Sequence, residues 1–204
     1  VLYRKQARFQ LITTGKISQK NLLFENQHIE RLRTASRYFA FPFDAEDLKQ
    51  KIEEECRACD YRQDYRLRIS LGKSGEIELS RQVLTPLGPS FCQAKLCLQE
   101  ANLQQAFTYF KTSYRPHLSL GEQEKIYHNQ RGELLETSIG NLVLKIAGKL
   151  YTPSIRLGIL PGIYRQHLLE TGQIEEKVLT LADLVQAEAI YGCNAVRALY
   201  KLSL

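Results

Sequence analysis

Three segments of this 204-residue chain carry side chains whose types and spacing could do chemistry. Lys111 stands between Phe110 and Thr112 with no acidic neighbour in sequence. A lysine so placed is either a surface side chain with its stem laid along apolar groups or an amine able to attack a carbonyl carbon. Glu136 follows a tight turn at Gly132 and precedes the small polar run Thr137-Ser-Ile-Gly-Asn141. Read alone, it is an ordinary solvated glutamate. Gly158-Ile-Leu-Pro-Gly-Ile-Tyr-Arg165 sets a glycine-rich turn directly against a helix start. Backbone N–H groups and the positive end of the helix dipole favour an anion such as phosphate there, although a plain capped helix reads the same way.

These residues need elements to position them. A strand is expected over residues 6–14, where side chains alternate, and a second short one over Asn21–Glu25. Asn26 can cap a helix whose Ile29, Leu32, Ala35, Ser36 and Phe39 recur at helical spacing up to the Phe41-Pro42 break. Asp44 caps a second helix with Asp47 three residues on and Leu48, Ile52 and Cys56 on one face. Tyr65–Leu71, the turn Lys73-Ser-Gly-Glu76 and Ile77–Val83 read as a hairpin. Leu84–Ser90 holds two prolines and a glycine and reads as a linker. Beyond it come a strand over Gln93–Gln99, a hairpin from Lys125–Asn129 to Gly132–Leu134, and another from Asn141–Ile146 to Lys149–Thr152. A helix then runs from Pro161 to Gly172, a last one over Leu181–Gln186, and a strand pair over Ala189–Asn194 and Ala195–Leu202. The expected organisation is α+β, with a small N-terminal lobe over residues 1–84, a linker over 85–91 and a larger β-rich lobe over 92–204.

Composition excludes several classes of function. With 44% hydrophobic and 25% charged residues the chain can bury a core. The longest uncharged stretch, Gln82–Ala94, contains Pro86, Gly88 and Pro89 and cannot be a membrane span. The opening Val1-Leu-Tyr-Arg-Lys-Gln-Ala-Arg8 is charged where a secretory signal is apolar, so a cytoplasmic address is expected. Of the net charge of +6, all falls within residues 1–43, which hold eight basic and two acidic side chains. That local field suits a small anionic ligand; no basic stripe interleaved with aromatics marks a nucleic-acid groove. Cys56 and Cys59 have zinc-like spacing, and Cys92 and Cys97 could form a second pair, but no histidine stands at ligand spacing and the total of five is odd. Reduced, mostly buried thiols and no metal are expected.

Taken in order, the segments from 125 to 165 resemble the fold type IV (class IV aminotransferase) family of pyridoxal-phosphate enzymes. The residues that carry the resemblance are Asn129-Gln-Arg-Gly132, Glu136-Thr-Ser-Ile-Gly-Asn141-Leu142, Thr152-Pro153 and Gly158-Ile-Leu-Pro-Gly-Ile-Tyr-Arg165. His28-Ile-Glu-Arg31-Leu32-Arg-Thr-Ala35-Ser36 looks like that family's helix with a phosphate-binding arginine, and Tyr191-Gly-Cys-Asn194-Ala195 like its last phosphate-contacting segment. The resemblance implies a two-lobed architecture like that of D-amino-acid aminotransferases and pyridoxal 5′-phosphate as cofactor. It implies that Lys111 forms the Schiff base and moves protons, that Glu136 holds the pyridine nitrogen protonated, and that Arg31 grips the phosphate. The phosphate cup would be completed by the backbone near Ile139, the N–H groups of Ile163 and Tyr164, and the Asn194 side chain, with Arg165 and Asn141 structural.

Within that family, Lys111-Thr-Ser-Tyr-Arg115 resembles the Lys-Thr-Thr-x-Arg signature of short 4-amino-4-deoxychorismate lyases, as does the opening Phe9-Gln-Leu-Ile-Thr-Thr14. Pro116 stands where branched-chain and D-amino-acid transaminases often place a tyrosine. Leu118 stands where the short lyases usually carry one, and Gln10 and Thr13 where they commonly carry glutamates. The resemblance thus implies elimination of pyruvate from aminodeoxychorismate, with Arg115 binding a substrate carboxylate. A class IV transaminase and a non-catalytic binding protein are the alternatives. It further implies an anionic amino substrate, a homodimer and association with aminodeoxychorismate synthase.

Overall fold

The computed structural model describes residues 9–99, 106–118, 121 and 123–204, and the chain divides into two compact units. The first comprises Val1–Thr85 together with Phe110–Arg115. Its sheet runs β2-β1-β3-β4, all antiparallel, from β1 (Leu11–Ser18), β2 (Asn21–Leu22), β3 (Tyr65–Leu71) and β4 (Ile77–Val83). Of the strand expected over 6–14, residues 6–8 lie outside the described residues, and β1 extends further along the chain than the alternation suggested.

Two helices, α1 (Glu25–Phe39) and α2 (Ala45–Arg57), bury Ile29, Leu32, Leu48 and Ile52 with Leu11, Ile17, Leu67 and Ile69 of the sheet in one apolar core. Helical spacing selects the buried residues of α1 and strand alternation those of β3, so both periodicities meet in that core. Asp44 caps α2 as expected, accepting from the backbone of Glu46 and Asp47. The start of α1 differs from expectation. Its N-cap is Phe24 in the left-handed region with no side-chain cap, and Asn26 lies inside the first turn.

Phe110–Arg115 groups with this first unit and not with the lobe expected over 92–204. The reason is backbone pairing over a separation that no local pattern reveals. β3 occupies one edge of β1 at Leu11, and Thr112 bridges to Leu11 from the other. Ile12 N donates to Lys111 O at 2.8 Å, and Ser113 N donates to Gln10 O at 2.9 Å. The lysine is thereby clamped to a strand about a hundred residues before it in the chain.

The second unit comprises Pro86–Tyr109 and Pro116–Leu204. It contains β5 (Lys95–Leu98), the short α3 (Ala106–Tyr109), β6 (Lys125–His128), β7 (Leu134–Thr137), β8 (Asn141–Ile146), β9 (Lys149–Thr152), α4 (Ile163–Glu170), β10 (Glu175–Glu176), α5 (Leu181–Gln186), β11 (Ala189–Asn194) and β12 (Ala198–Leu202). The sheet runs β10-β9-β8-β7-β6-β5, and β11 pairs with both β8 and β12. Apolar clusters lie on this sheet: Ile126, Leu134, Leu142 and Leu144 with α5 residue Leu184, and Val143 and Cys193 with α4 residue Leu168.

α4 begins at Ile163 with Gly162 as N-cap, two residues after the expected Pro161, and gives way to Gly172 at φ 67°. β12 starts three residues later than expected because Asn194 Oδ1 accepts from the N–H groups of Val196 and Arg197 and closes a turn there. All five cysteines are free, with Cys56, Cys59 and Cys193 buried and Cys92 exposed. Among the described residues no helix is long and apolar enough to cross a membrane.

Candidate active site

In the first unit, α1 sets His28 and Arg31 one turn apart and so on one face. His28 is fully buried, with Nδ1 2.6 Å from Thr13 Oγ1 on β1. Gly15 makes room for the ring, since a Cβ there would lie 2.5 Å from His28 Nε2. Burial, then the charges of Arg31 and Lys111, push His28 down to about 3, so the ring is neutral at any physiological pH. Arg66 and Arg68 alternate with the buried Leu67 and Ile69 on β3, so they point to the sheet face away from the apolar core.

The arginines, not the neutral His28, act on the half-buried Lys111 with positive charge. Burial first, and then Arg31, Arg115, Arg66 and Arg68 in that order, bring its amine down to about 7. Arg31 is itself lowered to about 10 by burial and by Arg115. The result is an amine that is substantially unprotonated at neutral pH inside a field that attracts anions. Of the residues singled out from sequence, Lys111, Arg31 and Arg115 come together here.

In the second unit, Glu136 on β7 pairs in register with Asn141 on β8, and its side chain is buried. The turn between them is closed by Thr137 N donating to Gly140 O at 2.9 Å and by Gly140 N donating to Thr137 Oγ1 at 3.0 Å. A Cβ on Gly140 would meet Cys193 O at 2.5 Å, so this turn approaches β11 too closely for any other residue. Ile139 sits in the turn: its N–H donates to Glu124 Oε1 at 3.3 Å, and its carbonyl accepts from Asn194 Nδ2 at 3.2 Å. Ile139 and Asn194 are thus joined directly.

Asn141 Nδ2 donates to Leu160 O at 2.8 Å, which ties the same turn to the segment leading into α4. No side chain caps α4, whose first residues are Ile163 and Tyr164. An uncapped helix start presents its N–H groups to an anion. Arg165, in the same turn, is buried: it donates to Pro153 O at 2.8 Å and pairs with Glu176, the structural role expected of it. His117, also buried, places Nε2 3.9 Å from Glu136 Oε1.

Sequence reasoning missed His28, Arg66, Arg68, Glu124 and His117. The i, i+3 spacing of His28 from Arg31 on an amphipathic helix was the available signal for the first. No sequence signal points to His117, which lies 19 residues from Glu136 and outside the hairpin that leads to it.

Comparisons with known proteins show the family and the fold. Residues 10–203 match the family Amino-transferase class IV. A putative amino-acid aminotransferase from Mesorhizobium loti superposes with a TM-score of 0.85 at 28% identity, covering 96% of this chain and 99% of that one. A putative 4-amino-4-deoxychorismate lyase from Haemophilus somnus gives 0.74 at 22% identity, covering 95% and 99%. A hypothetical aminotransferase from Mycobacterium tuberculosis, solved in a PLP-bound form, gives 0.78 at 17% identity, covering 95% and 80%. Among curated sequences the chain spans from about a third to two thirds of the length of the relatives it matches, at 41%, 66% and 36%. With the α+β architecture, the lysine clamped on β1 and the 136–165 segments in place, the chain belongs to the class IV amino-transferase family.

Proposed function

We propose that the chain is a pyridoxal-phosphate-dependent lyase that eliminates pyruvate from 4-amino-4-deoxychorismate to leave 4-aminobenzoate, a step in folate synthesis. The observation that carries this reading is the convergence of charge on Lys111, where Arg31 and Arg115 act on an amine held at about 7. Bound pyridoxal phosphate supplies an electron sink for the electron pair left when a proton leaves the amine-bearing carbon of a substrate. The donor groups of each unit match parts of that cofactor. Lys111 offers an amine and Arg31 a planar cation for phosphate; Glu136 offers a buried carboxylate for the ring nitrogen. Ile163 and Tyr164, at a helix start with no side-chain cap, offer backbone N–H donors for phosphate oxygens. The Ile139 N–H is held by Glu124 and Asn194 Nδ2 by the Ile139 carbonyl, so that pair would shape the cup and Asn194 would reach phosphate through its second amide hydrogen.

Lys111 Nζ then takes the proton from the amine-bearing carbon, the bond from the neighbouring ring carbon to the enolpyruvyl oxygen breaks, and a proton is returned to the leaving enolate. The ring becomes aromatic, and the atoms balance without a second substrate. Arg115, whose charge already acts on Lys111, binds one substrate carboxylate. The same reading makes the working unit a cytoplasmic homodimer, supplied with substrate by aminodeoxychorismate synthase.

A class IV transaminase is the second reading, favoured by the aminotransferase description of the Mesorhizobium structure. The deciding experiment gives the purified protein enzymatically made aminodeoxychorismate and follows pyruvate, with Lys111→Ala as control. Pyruvate release without any added 2-oxo acid supports the lyase. Turnover only with a 2-oxo acid acceptor replaces it with the transaminase, and a protein that takes up no pyridoxal phosphate leaves a binding role.

A further inference from the structure

We infer that His117 is a positioning residue for Glu136, holding that carboxylate in place and balancing its charge; this rests on the reading of Glu136 as the group that meets the cofactor's ring nitrogen. The Glu136 and His117 side chains are 3% and 0% exposed, and Nε2 and Oε1 are 3.9 Å apart. A carboxylate that far from water is costly unless a group able to carry positive charge stands beside it. Histidine is the side chain suited to this, because its ring nitrogen can hold or release a proton near neutral pH.

The backbone around His117 is built to keep it there. Pro116, which opens the second unit after Arg115, restricts the chain on both sides of its peptide bond. Leu118, one residue further on, is buried in a cluster with Tyr127 of β6, Leu135 of β7 and Ile159. Leu135 directly precedes Glu136, so the segment bearing His117 is anchored on the strand that bears the carboxylate. The residue Leu118, which departs from the tyrosine of the short lyases, therefore has a packing role that fixes its neighbour.

A structural histidine and a positioning one differ in whether the effect passes through Glu136. Two measurements separate them. In the ligand-free chain, the imidazole nitrogen resonances of His117 should move on Glu136→Gln, since the variant neutralises the facing carboxylate; unchanged resonances overturn the inference whatever the cofactor. In the second, pyridoxal phosphate dissociation is measured for His117→Phe, His117→Gln, Glu136→Gln and the double variants. His117→Phe should weaken binding about tenfold in the wild-type background and far less in the Glu136→Gln background. His117→Gln, which keeps a hydrogen-bonding side chain, should fall between and guards against a variant that fails to fold. Equal losses in both backgrounds overturn the inference. If the wild-type chain takes up no pyridoxal phosphate, it is the functional reading that fails, and the resonance measurement still decides the pair.

Discussion

At pH 7 a lysine amine at its ordinary 10.5 is unprotonated in about 0.03% of molecules, and one held at about 7 in about half, a gain of about a thousandfold in free amine. Lys111 owes this to burial and to four arginines, of which Arg31 acts most strongly and Arg68 least. The perturbation is to remove these charges one at a time, as Arg31→Gln, Arg115→Gln and Arg66→Gln. Each should move the Lys111 midpoint upward, by most for Arg31→Gln and least for Arg66→Gln. The assay is competitive acetylation of the ligand-free protein from about pH 5 to about pH 11, a range that brackets both values, with the extent at Lys111 read by peptide mass spectrometry. Wild-type Lys111 should show a midpoint near 7. A wild-type midpoint near 10.5 refutes the argument outright. Midpoints that stay at the wild-type value in all three variants refute the part assigned to the arginines and leave burial as the cause.

The same shift has a consequence for stability. An amine lowered in the folded state opposes folding wherever it is protonated, so its penalty is complete below about 7 and fades as pH rises toward 10.5. Lys111→Met should therefore raise the melting temperature at about pH 6, and the difference from wild type should shrink at about pH 9; a constant difference would assign the effect to packing. Gly162→Ala should destabilise the second unit by about 1–3 kcal/mol in urea unfolding. A Cβ there would lie 1.9 Å from Asn141 Oδ1, forcing the buried carboxamide off its bond to Leu160 O, and an unchanged midpoint would show that Asn141 can yield without loss.

Much of the fold was legible because local rules dominate where an element is amphipathic and well punctuated. The β3–β4 hairpin, the Asp44 cap and the β8–β9 hairpin lie where alternation, capping and turn residues placed them. Boundaries failed where a backbone conformation or a distant side chain set them: Phe24 in the left-handed region starts α1, and Asn194 delays β12.

The site divides along the same line. Sequence by itself determined the residue types and their order: a lysine with an arginine four residues on, a glutamate before a small-residue turn, a glycine-rich helix start. Motifs of that kind are contiguous, because a turn or a helix start is built from neighbours in the chain. Only the tertiary structure decided that Lys111 belongs with β1, that Arg31, Arg66, Arg68 and Arg115 lower its amine, and that His117 faces Glu136. Burial and charge act through space, and the groups that supply them lie up to 80 residues from the lysine they tune, where no spacing rule reaches.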